Sequence, residues 1–169
     1  MEKIYYSSMS SKRLGRLFVA STKKGVCRVD FLTSEKEFLR KLKKEFPGEV
    51  IRNHKMNQGV LSQLKKYLGG KLRRFRCTFD LRGTPFEKEV WSALAKIPYG
   101  QTASYKAIAE LVDRPKAFRA VGNANGSNPL PLILPCHRVI ESNGDLGGYG
   151  HGLKVKKQLL NFEKERSHR

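Results

Sequence analysis

Cys136 and His137 stand side by side at the end of an apolar run, Asn128-Pro129-Leu130-Pro131-Leu132-Ile133-Leu134-Pro135, with Arg138-Val139 following. A cysteine attacks as its thiolate, and it needs a neighbour that takes its proton or lowers its pKa. His137 is the nearest such group. Adjacent side chains in extended chain point to opposite sides. The pair therefore works only if the backbone turns here or a water carries the proton. The competing reading is a small core thiol, the commoner fate of a lone cysteine among apolar residues. Adjacency alone leaves both open. Three prolines fix φ and remove donors, which argues against a helix or a central strand. The run reads as a stiff, extended, buried ribbon.

The elements that must position this ribbon lie on both sides of it. Thr84-Pro85-Phe86-Glu87 is a strong helix start, with Thr84 as cap, Pro85 at the first helical position and Glu87 reaching back. Phe86, Val90, Trp91 and Leu94 give that helix an apolar stripe, with Trp91 in the core. Thr102 to Val112 reads as a short helix capped by Ser104 or Thr102. Asp113-Arg114-Pro115 is a turn, and Pro115 to Asn125 a second helix with Lys116 and Arg119 at polar positions. Two helices and a short turn make a helix-turn-helix pattern. The second helix is small-sided, with Ala117, Ala120, Gly122 and Ala124. Reading base edges in a major groove takes long polar side chains. Small residues suit close approach and phosphate contacts without a sequence code. Asn125 to Asn128 and Glu141 to Asp145 read as polar turns, and Gly147 to Gly152 as a glycine-dense loop where backbone meets a ligand closely. Leu153 to Glu165 is the last helix; the tail from Lys164 reads as loose.

Ahead of this lies a β-rich stretch, Lys3 to Phe31, which predicts three short strands in an antiparallel meander. Ser34 to Phe46 is a helix opened by a Ser34/Glu37 capping box, Gly59 to Tyr67 a second helix, and Leu72 to Leu81 another extended stretch. The reading is therefore α+β. A small N-terminal antiparallel β-sheet with helices (an α/β structural domain, residues 1–82) precedes a mostly helical C-terminal domain (residues 83–169) that carries the helix-turn-helix and the reactive ribbon.

The 169 residues carry 34 basic and 15 acidic side chains, a formal charge of +19. Up to Arg82 there are 21 basic against 7 acidic residues; beyond it 13 against 8. Such an excess favours a polyanion, nucleic acid before membrane. Cys27, Cys77 and Cys136 are an odd set without paired spacing, which argues against a disulfide framework and for a reducing, cytoplasmic setting. Cys27 and Cys77 read as core residues and His54 as surface. No signal peptide, no membrane span and no metal site are expected, since no stretch reads as a leader or a span and no Cys/His pair has ligand spacing.

The motifs taken together resemble the O6-alkylguanine-DNA alkyltransferases, or methylated-DNA–protein-cysteine methyltransferases. Pro135-Cys136-His137-Arg138-Val139 matches that family's acceptor motif. Arg82-Gly83-Thr84-Pro85-Phe86, Val90-Trp91, Ile97-Pro98-Tyr99-Gly100, Ser104-Tyr105, Arg119-Ala120-Val121-Gly122, Asn128-Pro129 and Gly147-Gly148-Tyr149 follow its order. The resemblance covers about half of the chain, Arg82 to about Glu163, and implies the following. The partner is double-stranded DNA containing O6-alkylguanine, with O4-alkylthymine a further candidate lesion, bound through the minor groove. The target nucleotide is flipped out of the stack. Cys136 accepts the alkyl group irreversibly, in one turnover. His137, oriented by Glu163, takes the thiol proton through water. Arg119 fills the vacated gap. Tyr105 crowds the phosphate and hydrogen-bonds or protonates the leaving base. Backbone carbonyls of Cys136 and Val139 read the guanine amine. Tyr149 lines the pocket, and the Gly150 N–H bonds the base oxygen. Asn128 ties the recognition helix to the ribbon, and Ser104 and Lys116 complete the DNA-side set. No cofactor and no metal are implied. The protein is expected to act as a monomer, cooperatively on DNA and at the nucleoid if prokaryotic. His151 departs from the family pattern in that loop.

Two other classes use parts of the same set. A Cys-His-Glu hydrolase would turn over and need an oxyanion hole. A non-catalytic binder of alkylated DNA would keep the pocket without using Cys136.

Overall fold

The computed structural model describes residues 1–168. The chain divides into two compact units, Met1–Arg82 and the part from Gly83 onward. In the first, strands β1 (Lys3–Ser11), β2 (Gly15–Thr22) and β3 (Gly25–Phe31) form the antiparallel meander. Gly25 closes the second turn at φ 149°, and a Cβ there would meet the Thr78 carbonyl oxygen at 2.4 Å, so glycine alone fits. Helix α1 (Glu35–Glu45) leads to β4 (Glu49–Arg52), which adds to the sheet edge parallel to β1. The sequence reading has no such strand, because Val50 and Ile51 are its only apolar residues. Helix α2 (His54–Leu68) starts five residues before the expected Gly59. Asn53 caps it, and Asn57 takes a buried polar position, accepting from Ser21 at 2.5 Å and donating to the Tyr5 carbonyl at 3.0 Å.

Ile4, Phe18, Cys27, Phe38, Leu42 and Phe46 form the core between sheet and α1. Ser34 caps α1, but Glu37 turns its carboxylate to Arg40, so the expected capping box is half made. Residues 72–81 are not a strand. They follow an irregular path with one bridge, Val26 to Phe79, among the described residues. Arg73, Arg74 and Arg76 keep this stretch toward water, and Cys77 is half-buried where the sequence reading puts it in the core.

In the second unit, α3 (Pro85–Leu94) opens on the full Thr84/Glu87 capping box with Pro85 in its first turn. Trp91 is core, its indole N–H donating to the Ala124 carbonyl at 2.8 Å. Strand β5 (Ala103–Ser104) passes directly into α4 (Tyr105–Leu111), and Ser104 is its cap. Helix α5 (Phe118–Gly126) begins three residues later than the expected Pro115. Pro115 and Lys116 lie instead in a turn closed by the Ala117 N–H on the Arg114 carbonyl, 2.9 Å. At its other end α5 runs one residue past the expected Asn125, to Gly126, which the sequence reading places in a turn.

The proline ribbon is buried but not extended. The Leu134 N–H reaches back to the Leu130 carbonyl at 2.8 Å, and Leu132 turns at φ 75°. Buried backbone must find partners, and a run with three prolines finds them locally by coiling. A 3₁₀ turn, Cys136–Arg138, delivers the chain to β6 (Val139–Ile140), paired in parallel with β5. Helix α6 (Leu153–Ser167) includes Lys164 to Ser167, expected to be loose. Arg166 holds the last turn, 4.0 Å above the Phe162 ring; Arg169 lies outside the described residues. No helix among the described residues is long and apolar enough to cross a membrane.

Candidate active site

The 3₁₀ turn decides how Cys136 and His137 are used. The Cys136 N–H bonds the Leu134 carbonyl and the Arg138 N–H the Pro135 carbonyl, so the backbone turns at this point. His137 is fully buried, and its Nε2 lies 2.7 Å from Oε1 of Glu163. Glu163 is equally buried. Arg138 grips it with two nitrogens, Nε to Oε2 at 2.8 Å and Nη2 to Oε1 at 2.9 Å, and donates a third bond to the Ile97 carbonyl. The Gly100 N–H adds a longer contact of 3.3 Å. Burial works against ionising Glu163, but the bonds from His137 and Arg138 win and hold its carboxyl at about 2.

His137 is also shifted down, but here burial prevails over the ion pair. Burial pushes it below its ordinary value, and the charges of Arg138 and Lys156 add to that against the pull of Glu163. The imidazole is neutral at neutral pH, with Nε2–H toward the carboxylate and Nδ1 as its basic atom. Burial pushes the Cys136 thiol up to about 11, ahead of the opposing hydrogen bond from Asn128 and the Lys156 charge. The resting pair is thiol and imidazole, not an ion pair.

Three residues without a role in the sequence reading hold this arrangement. Arg138 neutralises Glu163, as just described. Asn125, buried on the last turn of α5, donates to the Cys136 carbonyl at 3.3 Å. Lys156, fully buried on α6, donates to the carbonyls of Val139 at 2.6 Å, Gly148 at 3.1 Å and Leu146. Its burial brings its pKa down to about 8. The signal for Lys156 and Glu163 was in the helix pattern. Lys156, Leu159, Phe162 and Glu163 fall on one buried stripe, and charges on such a stripe need partners.

The expected site residues divide into two groups. Tyr105, Arg119, Asn128, Cys136, Tyr149 and Gly150 line one cavity of about 510 Å³. Asn128 donates to the Leu134 carbonyl at 2.7 Å and accepts the Leu130 N–H, so both of these side-chain bonds fold the ribbon on itself. The Tyr149 hydroxyl oxygen is buried without a hydrogen-bond partner among the described residues, and its pKa is raised well above its ordinary value, mainly by burial. Tyr105 is half-buried, its hydroxyl 3.5 Å from the Gly148 carbonyl. His137, Glu163 and Val139 are not on the cavity wall; they stand behind Cys136. The Val139 carbonyl already accepts a bond from Lys156, and the Cys136 carbonyl accepts from Asn125 and from the Val139 N–H. Ser104 spends its hydroxyl on the α4 cap, and Lys116 is exposed in the interhelical turn.

Two family models match the chain. One, described as 6-O-methylguanine DNA methyltransferase, ribonuclease-like domain, covers residues 4–81; the other, the DNA binding domain of the same name, covers residues 85–165. A methylated-DNA–protein-cysteine methyltransferase of Methanosarcina barkeri is 42% identical across 95% of this chain and 97% of its own length. An inducible methylated-DNA–protein-cysteine methyltransferase of Bacillus subtilis is 38% identical across 97% of this chain and 92% of its own. Among solved structures, Mycobacterium tuberculosis OGT in complex with DNA superposes with a TM-score of 0.84 at 39% identity, over 96% of this chain and 94% of that one.

Proposed function

We propose, on the premise that this chain belongs to the methylated-DNA–protein-cysteine methyltransferase family, that Cys136 is its alkyl acceptor and O6-alkylguanine in duplex DNA its donor. DNA repair by alkyl transfer is the activity of the chain. The observation that carries the finer assignment is the placement of Cys136 on a cavity wall, with His137, Glu163 and Arg138 buried in series behind it.

The chemistry follows from that series. A flipped nucleotide presents its O6-alkyl carbon to Sγ of Cys136. The S–C bond forms as the C–O6 bond breaks, and the electron pair stays with the guanine. His137 Nδ1 takes the thiol proton through water, and Glu163, already ionised, stabilises the imidazolium that forms. The leaving base takes up one proton, with Tyr105 as its donor or hydrogen-bond partner, so the net change is one proton moved from sulfur to guanine. Keeping thiol and imidazole neutral until the base arrives avoids two separated charges in a buried site. Arg119 occupies the gap in the duplex, and Tyr149 and the Gly150 N–H face the base. The thioether is inert to water and thiols, so each molecule acts once. Every one of these groups comes from one chain, which fits action as a monomer.

The test is intact-protein mass spectrometry after mixing with an O6-methylguanine duplex, followed by peptide mapping. The expected result is one added methyl, on Cys136, and none in Cys136→Ser, which still binds the duplex. A methyl elsewhere, or repeated substrate loss without an adduct, defeats the assignment.

A further inference from the structure

Helix α5 has an exposed face of unusual composition. Phe118, Arg119, Ala120, Asn123 and Gly126 are its exposed residues. Most of that face is small, so a surface can approach its backbone closely. Two long side chains project from it, and they are neighbours in the first turn. Arg119 is the one the proposed function uses. Phe118 is 46% exposed, one of few large apolar side chains left in water. It stands at the rim of the cavity that holds Cys136, and also borders an adjoining cavity of about 550 Å³, lined by Tyr105, Lys106, Glu141 and Asp145 among others.

Packing against α4 gives no reason for an exposed phenylalanine here, since α5 buries Val121, Ala124 and Asn125 instead. Water is a costly neighbour for a ring of this size. The partner of this face is DNA on the reading above, and apolar side chains that enter a groove act by wedging between base steps. Lys106 and Lys116, both exposed beside it, supply charge complementary to phosphates.

We infer that Phe118 is a DNA wedge, stacking on a base next to the flipped nucleotide while Arg119 fills the gap. The inference rests on the proposed function, because it needs a duplex whose target base leaves the stack. Phe118 is then a positioning residue that acts on the duplex and not on the alkyl carbon. Base–aromatic stacking of this kind is sequence-tolerant, which suits a repair protein.

The experiment compares wild type, Phe118→Ala and Phe118→Trp in two reactions: transfer from an O6-methylguanine duplex, and transfer from free O6-benzylguanine. The ratio of the duplex rate to the free-base rate should fall about tenfold in Phe118→Ala and recover in Phe118→Trp. A 2-aminopurine placed beside the lesion should brighten on binding wild type less than on binding Phe118→Ala, because the ring quenches it by stacking. An unchanged ratio, or equal losses in both reactions, overturns the wedge and leaves Phe118 as part of the pocket wall. If wild type itself acquires no methyl from the duplex, the proposed function is what fails.

Discussion

At the scale of single residues, the site is built to keep charge hidden until it is needed. Glu163 is ionised in the dry interior because Arg138 and His137 together supply three donors to its two oxygens. Cys136 is the opposite case, a thiol whose burial holds the proton on. With a pKa of about 11, only about one molecule in ten thousand carries the thiolate at pH 7. The sign of the pH dependence follows. Below about 11 the thiolate fraction grows tenfold per pH unit, whereas an unfolded cysteine levels off above about 8.5. Iodoacetamide labelling of native protein, read by peptide mapping, should therefore be slow on Cys136 at pH 7 and keep rising to about pH 11. A plateau near pH 8.5 would show a thiol without the burial described here. Cys77, half-buried with a thiol also raised to about 11, should give the same pH profile, and the peptide map keeps the two apart.

At the scale of elements, three pieces of chain meet at Cys136: the end of α5, the 3₁₀ turn and the start of α6. Asn125 holds the turn from one side and Lys156 from the other. Lys156 also pins the Leu146 and Gly148 carbonyls, and so fixes the glycine-rich loop that carries Tyr149 and Gly150. That loop has Gly147 at φ 69°, where a Cβ would come within 2.9 Å of the Tyr105 ring. Nothing larger fits there without moving Tyr105. Replacing Lys156 with methionine keeps the length and apolar stem but leaves three carbonyls without their donor. The expected cost is about 1–3 kcal/mol in urea unfolding, with faster amide exchange confined to residues 146–150 and a lower rate of alkyl transfer. Full stability with unchanged exchange would mean that the loop is held by something other than this ammonium.

At the scale of the whole molecule, charge is the dominant property. A formal +19 on 169 residues, most of it before Arg82, gives any polyanion a long-range attraction. The exposed face of α5 is mostly small-sided, so affinity for undamaged DNA should come mostly from phosphate contacts. Fluorescence anisotropy with an unmodified duplex should show affinity falling by about a hundredfold or more between 50 and 200 mM salt, as counterion release predicts for several neutralised phosphates. A flat salt profile would remove the electrostatic account of the basic surface.

Much of this was legible without coordinates, and the reason is local. Caps, breakers and apolar spacing are short-range instructions, so the meander, the Ser34 and Thr84 helix starts and the helix pair before the ribbon could be read directly. The motif order carried the family. What escaped depends on contacts distant in sequence. β4 is a strand because β1 offers it an edge, and its own residues hardly say so. The ribbon coils because buried amides need partners that its prolines withhold. Arg138 and Lys156 have no role in the sequence reading, because only folding sets one against Glu163 and the other under three carbonyls. The sequence by itself determined which atoms are able to react. The tertiary structure alone decided that the thiol and imidazole rest neutral, because a proton's affinity is set by the burial and charge around it, and those exist only once the chain has closed over the site.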